Sequence, residues 1–249
     1  MPGRRTFRTK AIVLDTTKLA EQDLILTLLA ESGAQVRAVA KGARKPGGRL
    51  AARSELFCES DFLIAEGRSL GIVSEASTVD SHEGLRGDLE RVSAASAVCE
   101  VARLTCYEDA EDLFLFDICL ASLGACEKAA DLPHLLLIVA AYTFKVLAHS
   151  GWWPVLDSCV SCGDHAVAWF SSQAGGLLCE SCARDVAGAE QVTPAEVQWL
   201  RALMGSTFAQ LLEARIDPDT ASFLASLAHA WAATQLDTRL KAYEFLMSV

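Results

Sequence analysis

Two Cys-x-x-Cys pairs, Cys159-Val-Ser-Cys162 and Cys179-Glu-Ser-Cys182, stand 16 residues apart. A thiolate is a soft ligand, and each Cys-x-x-Cys turn points two of them at one place. Two such knuckles complete the tetrahedral shell that zinc takes, with Zn–S of about 2.3 Å. Gly163 suits the turn that closes the first knuckle. Four ligands leave no open coordination position, so the expected ion is one structural Zn2+ per chain on Cys159, Cys162, Cys179 and Cys182. Disulfides, a redox Cys-x-x-Cys and plain buried thiols are the alternatives. A redox pair would head a strand–helix unit, which this segment does not resemble. The stretch 164–178 between the pairs is too short to build a core, so metal binding is expected to supply most of its folding free energy. His165 reads as a solvated loop residue rather than a further ligand. The other five cysteines (Cys58, Cys99, Cys106, Cys119, Cys126) lie in apolar stretches, where free cysteine behaves as a small hydrophobe. Such a set suits a reducing compartment, hence a cytoplasmic protein.

The second set of chemically active residues is cationic. The chain of 249 residues carries a net charge of −10, which taken alone argues against a nucleic-acid partner. The charge is unevenly spread. Residues 1–53, from Arg4 to Arg53, hold 11 Lys/Arg against 4 Asp/Glu, and the remaining 196 hold 11 against 28. A basic head on an acidic body points to an anionic ligand for the head, the alternative being a solvated charged surface. Lys41, Arg44, Lys45, Arg49 and Arg53 follow one another with no acid between Ser32 and Ser54, and Arg37 precedes them. Long cationic side chains reach the phosphates of a nucleic-acid backbone easily. Aromatic stacking platforms are sparse here (Phe7, Phe57, Phe62), so binding should rest on backbone charge and be sequence-tolerant and salt-sensitive.

Catalytic signatures are missing. Gly42-Ala-Arg-Lys-Pro-Gly47-Gly48-Arg49 lacks the Lys-Ser/Thr that a phosphate loop needs after its second glycine. His82-Glu83 finds no second histidine three residues on, and no dinucleotide fingerprint or nucleophile elbow occurs. The chain is not expected to be an enzyme.

These residues must be positioned by surrounding elements. Residues 7–79 read as five short strands: within 9–16, 23–30, 35–41, 56–66 and 70–79. The pattern suits a small barrel or a sandwich without deciding between them. The glycine- and proline-bearing run 41–53 reads as a mobile basic loop between strands. From about residue 84 the period turns helical, with helices expected over 88–106, 112–128 and 133–149. The third is apolar nearly all round, as at the centre of a core. His149-Ser150-Gly151 is a helix stop. Thr193-Pro194-Ala195-Glu196 has the spacing of a capping box with a first-turn proline. Helices are then expected over 195–215 and 219–247. The longest apolar run, Leu135–Phe144, falls short of the ~20 residues of a membrane span, and no secretory leader is read at the start.

The ordered set of parts resembles the bacterial RecO family. The loop Val39-Ala-Lys-Gly-Ala-Arg-Lys-Pro46 is similar to that family's, with strands before it and Gly67-Arg68-Ser69-Leu70 after it. The phrase Gly151-Trp-Trp-Pro154-Val-Leu-Asp157-Ser-Cys159 leads into the four-cysteine segment as it does in relatives. The resemblance implies an α+β multidomain fold: an N-terminal OB-fold β-barrel (1–80) and a helical domain in two parts (81–158 and 186–249), with an insertion between them (159–185) whose zinc is implied by this chain's own four cysteines. It also implies a DNA repair and recombination mediator. Such a protein binds single- and double-stranded DNA, anneals complementary strands and, with RecR, helps load RecA onto DNA coated by single-stranded-DNA-binding protein. The DNA contacts expected are Arg37, Lys41, Arg44, Lys45, Arg49 and Arg53. RecR and the coating protein are the expected protein partners, and no membrane is. The alternative is a zinc-containing scaffold that binds proteins but not DNA.

Overall fold

The computed structural model describes residues 5–249; Arg4, counted in the basic head, lies outside them. The chain forms two compact units, one ending at Glu127 and the other beginning at Lys128.

In the first unit, alternation of side chains along each strand closes a five-stranded barrel. The strands are β1 (Thr6–Leu19), β2 (Asp23–Ala30), β3 (Gln35–Ala40), β4 (Glu59–Ala65) and β5 (Gly71–Asp80), in the order β1-β2-β3-β5-β4. Every second residue points inward: Ala11 and Val13, Leu26 and Leu28, Ala38 and Ala40, Phe62 and Ile64 fill the interior. The small alanines let five strands close tightly around Phe62. β1 is long enough to pair with both β2 and β4, and a register shift between Val13 and Asp15 bends it round the corner. Closure is completed by a parallel ladder between β3 and β5 of only two pairs, Ala38 with Gly71 and Val39 with Ile72. The barrel is therefore of the OB type, and the sandwich is excluded. Helices α1 (Leu89–Thr105) and α2 (Leu113–Lys128) belong to the same unit up to Glu127. Asp88 caps α1 by accepting the Arg91 N–H at 2.8 Å. Cys99, Cys119 and Cys126 are buried in this pair, with Cys106 at the C-cap of α1. Burial pushes the Cys126 thiol up to about 12 and the Cys106 thiol to about 11, which keeps both protonated and unreactive.

The second unit is built round α3 (Leu132–His149), whose residues 135–144 are all buried. Its length and mean hydropathy of 1.5 would suffice to cross a membrane, contrary to the shorter apolar run read from the sequence, but 67% of it is buried inside the protein. It serves as a core helix. α7 (Pro218–Gln235) lies along it. The cysteine segment carries a three-stranded sheet of β6 (Val167–Ser171), β7 (Gly176–Cys179) and β8 (Glu190–Gln191), with the short helix α4 (Glu180–Ala183) following β7. Phe170 of β6 anchors this sheet to the helices: its ring lies 6.5 Å from Phe144 and 5.9 Å from Trp231, and the latter two are 6.1 Å apart.

The last two expected helices are each broken in two. The run 195–215 is α5 (Pro194–Gly205) and α6 (Phe208–Leu212). Ser206 is extended, and Thr207 forms a second capping box with Gln210, which starts a new helix where the first should have continued. The run 219–247 is α7 and α8 (Lys241–Leu246), interrupted where Asp237 takes a left-handed φ of 46°. The capping box at Thr193 and Glu196 forms as read from the sequence.

Candidate nucleic-acid interface and metal centre

The basic loop between β3 and β4 is built from a string of tight turns. The N–H groups of Lys45, Gly48, Ala51 and Ser54 each donate to the carbonyl three residues back. Two bonds tack its start to the β1–β2 connection: the Gly42 N–H donates to Asp23 Oδ1 at 2.8 Å, and the Arg44 N–H donates to the Gln22 carbonyl at 3.0 Å. Ala43, Leu50 and Leu56 pack onto the barrel core, so the apolar residues in this basic run hold it down. The turns end in a single 3-10 turn over Ala52–Ser54.

This arrangement opens a cleft of about 630 Å³ on the barrel. It exists because β3 stops at Ala40 and the chain turns away, while β5 runs on to Asp80. Beyond Ile72 the β3-facing side of β5 has no ladder partner among the described strands. Gln22, Asp23, the loop residues Lys41, Gly42, Lys45 and 48–50, and Val73 to Ala76 of β5 line the gap.

Of the six cations read from the sequence, the cleft gathers three: Lys41, Lys45 and Arg49. The other three are placed differently. Arg37 is exposed on β3. Arg44 Nη1 donates to the Glu21 carbonyl at 2.9 Å, and Arg53 Nη1 donates to the Arg49 carbonyl at 2.8 Å, so both brace the loop backbone. The ion pairs of the barrel among the described residues are made by other cations: Arg8 with Glu75 at 3.6 Å, Lys10 with Glu59 at 3.9 Å, and Arg86 with Glu55 at 3.5 Å. The acid-free stretch of sequence does not make an acid-free site. Asp23 and Glu75, 18 residues before and 34 after Lys41, come in from other strands. No local pattern marks them, since their position depends on barrel closure. Of the three aromatic residues, Phe57 and Phe62 are buried and only Phe7 is exposed.

In the second unit the four cysteines converge. The Sγ atoms of Cys159, Cys162, Cys179 and Cys182 all lie within 4.8 Å of one another, and Cys162 and Cys179 are 3.7 Å apart. Sulfurs at the corners of a tetrahedron with bonds of about 2.3 Å are separated by about 3.8 Å. A disulfide would need about 2.05 Å, and all nine cysteines are free. The donor set and its dimensions thus fit a tetrahedral thiophilic ion such as zinc. The local electrostatics suit it too. Burial works to raise the Cys159 pKa, but backbone N–H groups of Cys179, Cys162 and Ser161 together outweigh it and hold the thiol at about 6. The Ser181 hydroxyl, 3.1 Å away, lowers Cys179, while the neighbouring sulfurs of Cys179 and Cys162 push Cys182 up to about 12. Cys159 and Cys179 are thus biased toward the thiolate, the form in which cysteine binds a metal.

The knuckles are held from outside. The Gly163 N–H donates to the Cys159 carbonyl at 2.8 Å, and Gly163 takes the left-handed φ of 78° that this turn needs. Arg201 of α5 donates to the Leu156 carbonyl through Nη2 at 2.6 Å and lies 3.5 Å from Asp157, bracing the strand of chain that enters the first knuckle. His165 Nδ1 pairs with the Asp157 carbonyl at 3.1 Å and stays outside the cluster. The segment between the pairs does have structure of its own, the β6–β7 hairpin. Its small core consists of Cys159, Cys179 and Cys182 packed with Leu178, Ala183 and flanking apolar residues, while Cys162 is exposed. Arg201 was not legible beforehand, because nothing in a helical arginine 19 residues past the last cysteine marks it as a brace.

Comparison with known proteins joins these two sites to one family. Residues 4–82 match the model of the recombination protein O N terminal, and residues 86–244 match that of the recombination protein O C terminal. The chain is 35% identical over 248 residues to the DNA repair protein RecO of Roseiflexus sp., covering 98% of this chain and 86% of the relative. It is 33% identical to that of Nocardioides sp., covering 96% and 98%. A third relative, from Bifidobacterium animalis subsp. lactis, is 38% identical over 70% of this chain and 72% of its own.

Proposed function

The chain belongs to the RecO family and so has a role in DNA repair and recombination, and on that premise we propose that it is a DNA-binding mediator whose barrel holds the phosphate backbone in the loop cleft. Lys41, Lys45 and Arg49 make the main contacts, with Arg37, Arg44 and Arg53 adding field from the flanks. Residues 1–80 form the DNA-binding part, 81–158 and 186–249 the helical body, and 159–185 the metal-bearing insertion. The observation that carries the proposal is the convergence of three cations on a groove open to solvent, none of them ion-paired within 4 Å among the described residues.

A groove of this kind accepts single- and double-stranded DNA alike, because it reads charge and not base edges. Annealing follows without chemistry. Cations that neutralise phosphates on two complementary strands lower their repulsion and let base pairing proceed, so no catalytic group or nucleotide site is required and the protein is not an enzyme. As in the family, the partners are RecR and the single-stranded-DNA-binding protein, on whose DNA the protein helps load RecA, and the setting is the cytoplasm without a membrane. One Zn2+ held by Cys159, Cys162, Cys179 and Cys182 has a structural part: it ties β7 and α4 to the first knuckle.

One observation favours the alternative of a protein-binding scaffold. A groove of about 450 Å³ on the second unit is lined by Trp153, Pro154, Val155, Leu156 and Met204, with Trp153 66% exposed. The two readings separate in one experiment. Annealing of two complementary oligonucleotides, with and without the coating protein, is expected to be accelerated by the parent chain and not by Lys41→Ala/Lys45→Ala/Arg49→Ala. Failure of the parent to bind or anneal DNA at low salt leaves the scaffold.

A further inference from the structure

The cleft contains its own anion. Glu75 lines it together with Lys41, Lys45 and Arg49, and its carboxylate reaches Arg8 at 3.6 Å. The backbone places it there. Along β4 and β5, Leu63 pairs with Glu75 but Ile64 pairs with Val73, so Ser74 is an extra residue in the ladder. Such a bulge re-aims the side chains next to it. Across the neighbouring strand, Leu63 also pairs with Arg8. Arg8, Leu63 and Glu75 thus form one row across three strands, which brings the cation and the carboxylate to the same side of the barrel. Both are largely exposed, Arg8 by 73% and Glu75 by 66%, so the pair is open to exchange with a dissolved anion. Asp23, the other acid in the cleft, differs in that it is tied to the Gly42 N–H.

We propose that Glu75 is a built-in competitor of DNA phosphate: it occupies Arg8 in the free protein, and Arg8 becomes a further phosphate contact only when a strand entering the cleft displaces it. This rests on the DNA-binding function proposed above and adds two residues to it. Arg8 extends the cationic track from the loop onto β1. Glu75 weakens the hold on any one strand, which favours release after pairing. A mediator that bound each strand too tightly could not hand it on.

The test is Glu75→Gln, measured by fluorescence anisotropy with a 5′-labelled oligothymidylate at several salt concentrations. A unit charge about 6 Å from a phosphate in a water-like dielectric changes affinity about threefold. Glu75→Gln is therefore expected to tighten binding about threefold at low salt. Arg8 meets a phosphate in the bound state of both proteins, so the salt slope is expected to be the same in the two. Arg8→Ala is expected to weaken binding more in the Glu75→Gln protein than in the parent. Unchanged or weaker binding by Glu75→Gln, while Lys41→Ala/Lys45→Ala/Arg49→Ala still loses affinity, overturns the competitor and leaves the DNA site standing. If the triple variant also binds as the parent does, the DNA site in the cleft falls with it.

Discussion

Replacing Lys41, Lys45 and Arg49 together by alanine is the sharpest perturbation of the cleft, because these are the three cations its walls bring together. Each phosphate contact to a single strand contributes about 0.7 to the slope of log affinity against log salt. Losing three contacts lowers that slope by about 2. A fourfold rise in salt then changes the affinity of the variant about sixteen-fold less than that of the parent. A companion variant, Arg37→Ala/Arg44→Ala/Arg53→Ala, removes the same formal charge from the same stretch of sequence. Two of its arginines hold backbone carbonyls, of Glu21 in the β1–β2 connection and of Arg49 in the loop, and so present fewer free donors to a ligand. Its slope is expected to fall by less than about 1. Both are measured by anisotropy of a labelled, unstructured oligonucleotide titrated at salt concentrations from about 50 to about 200 mM. Equal losses in the two variants would mean that net charge, and not the geometry of the cleft, governs binding. No loss in the first would refute the cleft altogether.

Metal analysis of the purified chain is expected to find about one zinc per chain, and Cys162→Ser is expected to lose it and expose 159–182 to limited proteolysis; disulfides in that segment would contradict the structural-metal assignment. Trp231→Ala, which empties the space between Phe144 and Phe170, is expected to destabilise the second unit by about 3–5 kcal/mol in urea titrations. At the start of α3 the Asp131 carboxylate, 2.5 Å from His134 Nδ1, raises the His134 pKa, and His134 in turn lowers that of Asp131. The stabilisation from His134 is full below its unfolded value of about 6.5 and is lost as pH rises through the higher folded value. That from Asp131 is present above about 3.9 and is lost as pH falls through its lower folded value. Urea midpoints of His134→Gln are therefore expected to lack the decline that the parent shows on the alkaline side of that window.

What could be read from the sequence is what is decided within a few residues of chain. Two Cys-x-x-Cys turns place their sulfurs by local geometry, so the convergence of the four cysteines was legible from spacing alone. The same holds for the Thr193 capping box, the stop after His149, and the strands whose apolar residues alternate. Tertiary structure decided the rest, because it depends on which distant segments meet. The barrel closes through two parallel pairs between β3 and β5, a contact that no local pattern encodes. That closure selects Lys41, Lys45 and Arg49 from six equivalent-looking cations, while Arg44 bonds the β1–β2 connection and Arg53 turns back onto the loop. It also carries Glu75 into a site that the sequence shows as free of acid. The breaks at Ser206 and Asp237 were hidden for a related reason. Helical periodicity continued across both, and a cap at Thr207 and one left-handed residue outweighed it. Charge run and cysteine spacing are properties of the chain, whereas a cleft is a property of the gap between strands that stop at different places.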